Sequence, residues 1–169
     1  MAVPFDPSAL MVELARFDVD YVLVGGLAAV VHGSPTTTND ADIVPANDRA
    51  NLERLSQVLL ELNARIRDIA TPDGISFDPH PALLASMQVL NLQTKHGDLD
   101  LTFAPAALHD YEALVAASQL FTVAGVEVRV ASLDDVIRSK LAAGRPKDFA
   151  VLPTLRALQE LKRSESDVE

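Results

Sequence analysis

The pattern of apolar and polar positions divides the chain into short segments of two periods. Residues 7–17 place Leu10, Met11, Leu14 and Phe17 on one helical face. Asp6-Pro7 ahead of them supplies a capping carboxylate and a proline at the first helical position. Residues 20–24 (DYVLV) are apolar and β-branched, which predicts a short buried strand ended by Gly25-Gly26. Leu27 to Val31 reads as a short helix closing at His32-Gly33, and Ser34 to Asn39 as a polar loop around Pro35. Residues 40–44 (DADIV) alternate with period two, a strand pattern. Asn47 is the expected cap of a helix running to Asn63, with Leu52, Leu55, Val58, Leu59 and Leu62 on its buried face.

Residues 68–82 are rich in Pro, Asp and Gly and predict a loop. Gln88 to Thr94 and Asp98 to Phe103 read as strands joined across Lys95-His96-Gly97. A helix is expected over 106–118, then strands over 121–123 and 126–130 around Ala124-Gly125. From Ser132 the chain reads as helical, broken near Gly144-Arg145-Pro146, and Pro153 should start a turn or a kink. This order predicts an α+β fold, a mixed sheet flanked by helices with a helical C-terminal segment. A soft boundary near Ala131 separates a core over 1–131 from a helical segment over 132–169 that packs on the same domain.

Composition narrows the possibilities. The 169 residues suit one domain, and 49% apolar content is enough for a core. There is no apolar run of about 18 residues, so no membrane-spanning helix is expected. Met1 to Leu10 lacks a basic region and carries Asp6, which argues against a secretory signal. The absence of cysteine removes disulfides, thiolate metal sites and a thiol nucleophile, and a reducing cytoplasm is the simplest setting.

A net charge of −10 argues against a generic nucleic-acid binder, yet the charge is uneven. Between Val136 and Arg163 the cations Arg138, Lys140, Arg145, Lys147, Arg156, Lys162 and Arg163 face only Asp148 and Glu160, a net of +5, which leaves −15 elsewhere. Charge alone favours a solvated helical face; the sharper alternative is a local anion site.

The candidate chemistry lies in two D-x-D segments. In a strand, residues i and i+2 share a face about 6.6 Å apart, so Asp40 and Asp42 should point one way while Ala41 and Ile43 face the core. Taken alone, such a pair is more often an exposed strand edge. Asp98 and Asp100 repeat the spacing, however. Asp100, between Leu99 and Leu101, is the better candidate for a third ligand, because Asp98 follows Gly97 and belongs by position to the turn. Ionised carboxylates this close repel unless a cation intervenes, and hard oxygen ligands suit Mg²⁺ or Mn²⁺. Gly25-Gly26, between strand and helix, would let a phosphate reach backbone N–H groups. There is no P-loop and no GxGxxG.

VLVGGLAAVVHGSP, TNDADI, GDLDL and LDDVIRSKLAAGRPKDFAVLPTLRAL together span residues 22–158. A Gly-Gly pair, thirteen residues, a D-x-D strand and a later aspartate resemble the DNA-polymerase-β-like nucleotidyltransferases. More narrowly, the chain resembles the nucleotidyltransferase toxins of the AbiEii and MenT group. The resemblance implies that Gly25 and Gly26 hold the triphosphate of an NTP. It implies that Asp40 and Asp42 bind the catalytic metal, and that Asp100 binds a second metal or activates the attacking hydroxyl. Thr38 matches a hydroxyl residue common before D-x-D; Lys140, Arg145 and Lys147 match phosphate-contacting positions, with Asp148 orienting one of those cations. The implied reaction transfers a nucleoside monophosphate to RNA, the tRNA 3′ end, blocking translation, with a cognate antitoxin encoded nearby. Many relatives carry a basic residue in the loop that here is Ser34-Pro35-Thr36-Thr37, a departure that bears on nucleotide affinity. Two alternatives stay open: a protein or small-molecule acceptor, and a degenerate antitoxin or binding module.

His32 reads as a helix-ending residue bonded to a backbone carbonyl. His80, His96 and His109 show no zinc spacing. Ser34 has no nucleophile-elbow context. Phe103, Tyr111, Phe121 and Phe149 are expected in the core, and the charges from Glu61 to Arg67 on an exposed helix end.

Overall fold

The computed structural model describes residues 2–103 and 110–168. A seven-stranded mixed sheet carries the fold: β1 (Tyr21–Val24), β2 (Asp40–Pro45), β3 (Arg65–Ile66), β4 (Val89–Thr94), β5 (Gly97–Thr102), β6 (Gln119–Val123) and β7 (Val126–Val130). Their order across the sheet is β3-β4-β5-β2-β1-β7-β6. β2 pairs in parallel with β5, and β1 in parallel with β7; the other pairings are antiparallel. The helices are α1 (Pro7–Arg16), α2 (Gly25–Val31), α3 (Arg49–Glu61), α4 (Pro81–Ser86), α5 (Tyr111–Ala117), α6 (Leu133–Ala143) and α7 (Pro146–Ser166).

All four residues of β1 are buried, as suits a strand with a neighbour on each side. Ala41 and Ile43 of β2 and Leu99 and Leu101 of β5 are fully buried beside Leu10 and Leu14 of α1 and Leu55 and Leu59 of α3. Burying such side chains, at about 1.5–3 kcal/mol each, holds the helices to the sheet. Asn51, also fully buried, accepts from the Asp20 amide at 2.7 Å and donates to the carbonyls of Asp20 and Ala46 at 2.8 Å each. One side chain on α3 thus ties the entry of β1 to the exit of β2.

Several elements differ from the sequence expectation. The α3 cap is Asp48, whose carboxylate accepts from the Asn51 amide at 3.0 Å, one residue past Asn47. The loop expected over 68–82 holds as far as His80, which caps an unanticipated short helix, α4, from Pro81. The start of the helix expected over 106–118 lies outside the described residues, and α5 covers Tyr111–Ala117. Pro153 neither ends nor splits α7, which is helical throughout Pro146–Ser166. Pro153 is exposed, and the neighbouring Leu152 and Leu155 are buried, so packing outweighs the one backbone donor that proline lacks. Phe149 is not core: it is 52% exposed.

Because the cap is Asp48, Asp48→Ala should destabilise the fold by about 0.5–2 kcal/mol in urea unfolding, and Asn47→Ala by clearly less.

Candidate active site

β2 and β5 place Asp40 opposite Asp98 and Asp42 opposite Asp100. Their apolar partners face the core, so alternation sends the four aspartates to the other face. Oxygens of Asp40, Asp42 and Asp100 all lie within 4.8 Å of one another. Burial, together with the Asp40 and Asp100 charges, pushes the Asp42 carboxyl up to about 7, against the pull of Lys140 and Arg145. Burial also raises Asp100, and Arg67 opposes the shift.

Asp98, expected in the turn, is part of β5, because the ladder with β4 continues to Thr94 opposite Gly97. Its carboxylate meets Arg67 at 2.7 Å, and the same guanidinium donates to Asp100 at 2.8 Å. Arg67 is therefore no exposed helix-end charge but the cation that braces the third carboxylate. Its signal was the alternation Arg65-Ile66-Arg67, and the two-residue β3 is too short for periodicity to reveal.

The glycine pair lies against these carboxylates. Gly25 has φ of 68°, and a Cβ there would sit 2.3 Å from the Asp42 Oδ2. A Cβ on Gly26 would come within 3.1 Å of the Thr38 Oγ1. Thr38 donates its hydroxyl to the Asp40 carboxylate at 3.0 Å, so it sets the first carboxylate in place. With only seven residues in α2, its aligned dipole is short, and two cations, Lys140 and Arg145, add positive charge beside Asp42.

Those cations come from the junction of α6 and α7, where Gly144 turns the chain at φ of 62°. Asp148 is fully buried and accepts from Arg145 Nε at 2.6 Å and from Lys140 Nζ at 3.3 Å. The Arg145 guanidinium holds the Asp148 carboxyl down at about 2. Asp148, with no exposed side-chain surface, pairs with both of these cations, where one was expected. Lys147 is exposed at the rim. Two cavities, of about 280 and 350 Å³, share Gly26, Asp42, Lys140 and Arg145, and the second takes in residues 36–40, Asp100 and Lys147.

Three carboxylates that repel one another, half-buried and with hard oxygen donors, fit a divalent cation of the Mg²⁺ or Mn²⁺ type. His32 stands apart from this cluster. Its Nε2 donates to the Ala131 carbonyl at 2.8 Å, the structural role expected of it, and its Nδ1 accepts from Lys162 at 2.7 Å.

Several solved structures share this architecture. One is ANT(2")-Ia in complex with adenylyl-2"-tobramycin, with TM-score 0.53, 14% identity, and coverage of 93% of this chain and 94% of that one. The fold is that of the polymerase-β-like nucleotidyltransferases. The lincosamide antibiotic adenylyltransferase LnuA, lincomycin-bound, aligns with TM-score 0.58 and 14% identity over 92% of this chain and 99% of that one. An antigenic nucleotidyltransferase-like protein from Paracoccidioides brasiliensis aligns with TM-score 0.53 and 19% identity over 94% and 79%. At such identities the likeness speaks for the fold alone. No family profile and no curated protein matches the sequence. Among the described residues, no helix is long and apolar enough to cross a membrane.

Two outcomes are expected. Asp42 has its carboxyl raised in the fold, so its contribution to stability is fully present below the unfolded carboxylate range and is lost as pH rises to about 7. Without metal, thermal melting should fall over that window, less so in Asp42→Asn, and Mn²⁺ should restore more of the loss at pH 8 than at pH 5. Gly25→Ala, strained at positive φ and driven into Asp42, should lower the melting temperature and remove the Mn²⁺-induced shift.

Proposed function

We propose that the protein is a metal-dependent nucleotidyltransferase that moves a nucleoside monophosphate from an NTP to a hydroxyl and releases pyrophosphate. The observation that carries this reading is a three-carboxylate face flush against a glycine pair and flanked by buttressed cations. Asp40, Asp42 and Asp100 would hold Mg²⁺ or Mn²⁺, which when bound supplies charge neutralisation at the phosphoryl group. Gly25 and Gly26 would let the triphosphate approach the backbone, and Lys140 and Arg145 would balance its charge, with Lys147 at the rim. These three cations line the same cavity as Thr36 and Thr37, and so stand in for the basic residue that loop 34–37 lacks. In this reading residues 132–169 belong to the same domain as 1–131 and form the cationic wall of the cleft. Asp100, braced by Arg67, would receive the proton of the attacking hydroxyl.

The sequence resemblance favours RNA as acceptor, the tRNA 3′ end, with the protein acting in the cytoplasm as the toxin of a toxin–antitoxin pair. Two observations favour a small hydroxyl compound instead. The chain matches nearly the whole length of structures that carry tobramycin or lincomycin. The basic segment is also internally paired, Arg138 with Asp135, and Lys140 and Arg145 with Asp148, which leaves less of it as an open polyanion surface. A degenerate antitoxin or binding module is disfavoured because all three carboxylates converge. Nucleotidylation of a protein remains the third acceptor class to assay.

The test is incubation of the protein with α-labelled NTPs, Mg²⁺ and, in separate reactions, total tRNA, protein extract and a hydroxylated small-molecule pool. Label should move to one fraction, and Asp42→Ala should lower transfer at least a hundredfold. Equal incorporation by variant and parent would remove Asp42 from the machinery.

A further inference from the structure

A cavity of about 550 Å³, larger than either part of the nucleotide cleft, opens beside Asp98 on the β4 side of the sheet, with Arg67, the ion-pair partner of Asp100, in its wall. It is walled by the N-terminal arm at Val3 and Phe5, by Asn39, by Gln93 and by the ion-paired Arg67 and Asp98. The arm is anchored there. The Asp6 amide donates to the His96 carbonyl at 2.9 Å, and Gly97, at φ of 103°, leaves a gap of only 2.8 Å between its Cβ position and the Phe5 Cα. Nothing in the reaction described so far uses this space.

Resting on the nucleotidyl-transfer reading, we propose that this cavity is the acceptor site, and that its acceptor is a small polyhydroxylated molecule, neutral or cationic, rather than a polynucleotide. The strand order β1-β2-β5-β4 sets the argument. Gly25 follows β1, Asp42 lies on β2, Asp100 on β5, and Gln93, opposite Asp98, on β4. With the leaving pyrophosphate on the glycine and Lys140 side, an in-line displacement requires the nucleophile to enter from the opposite side. That side is the β5–β4 side, where the cavity opens. The acceptor oxygen forms a bond to the α-phosphorus as the bond from that phosphorus to the bridging oxygen breaks. Pyrophosphate leaves with the electron pair, and the hydroxyl proton passes to Asp100.

The walls define the class of acceptor. The volume lies within the range of small-ligand sites, about 300–1,000 Å³. Asn39 and Gln93 are uncharged hydrogen-bonding groups suited to hydroxyls, and Asp98, 40% exposed, favours a neutral or cationic neighbour. Arg67, the single cationic side chain among the described residues of the wall, is already in two ion pairs. A polynucleotide would need open cations along its phosphates, and the described residues of this wall offer none.

The test is NMR titration of the ¹⁵N-labelled full chain, first with Mg²⁺ and a non-hydrolysable ATP analogue, then with glucosamine as a polyhydroxylated cationic probe. The nucleotide should shift Gly25, Gly26 and Lys140. Glucosamine should then shift Phe5, Asn39 and Gln93. Val3→Trp, which fills the cavity from its exposed rim, and Gln93→Ala should each weaken the glucosamine response at least tenfold while leaving the nucleotide response unchanged. No response at Phe5, Asn39 and Gln93, or equal responses in parent and variants, overturns the acceptor assignment. A response at those residues to a tRNA acceptor-stem fragment, without one to glucosamine, overturns the ligand class. Loss of the nucleotide response itself would count against nucleotidyl transfer, a separate failure.

Discussion

Parallel pairing of β2 with β5 forces Asp42 and Asp100 side by side, with Asp40 one step along, on a face that the core side of both strands cannot share. At separations of no more than 4.8 Å, each ionised pair repels by roughly 3 kcal/mol or more at an effective dielectric constant of about 20. The sheet register cannot relax this strain, because shifting either strand by one residue would turn Ile43 or Leu101 out of the core and an aspartate into it. The neighbouring residues answer the constraint. Asp42 holds its proton up to about 7, Thr38 donates to Asp40, and Arg67 donates to Asp100.

The positive charge around the cluster is divided into two groups with different work. Arg67 sits on the β4 side and is committed to Asp98 and Asp100. Lys140 and Arg145 approach Asp42 from the opposite side and are held by Asp148, a carboxylate with no exposed surface. A buried anion can be kept only if it is paired: the capping residue Arg145 at the start of α7 supplies a backbone donor and one cation, and Lys140 of α6 supplies the second. The long C-terminal helix thereby delivers fixed positive charge to the cleft rather than a loose basic surface. His32, bonded to Ala131 and Lys162, ties the end of α2 to that helix at its far end.

Much of this was legible before the fold. The four-residue apolar run of β1, the period-two alternation of β2 and β5, and the Gly-Gly pair are local signals, and their spacing resembled a known superfamily whose fold the structure reproduces. Asp100, singled out for its place between two core leucines, does lie beside Asp40 and Asp42. Asp98 was misplaced because a hairpin can extend its ladder to the glycine that closes it. Phe149 was misplaced because an aromatic residue on an exposed helix start looks, in sequence, like any core residue.

The residue types therefore settled where most strands and helices form, which face of each strand is buried, and that each D-x-D pair shares one face of its strand. These properties depend on contacts within a few positions. The meeting of Asp40, Asp42 and Asp100, the need for Gly25 to lack a Cβ beside Asp42, and the burial of Asp148 under its cations depend on which strands and helices become neighbours. So does the role of Arg67, 33 residues from its partner Asp100. Those pairings join residues far apart in the chain, and only tertiary packing brings their charges within reach of one another.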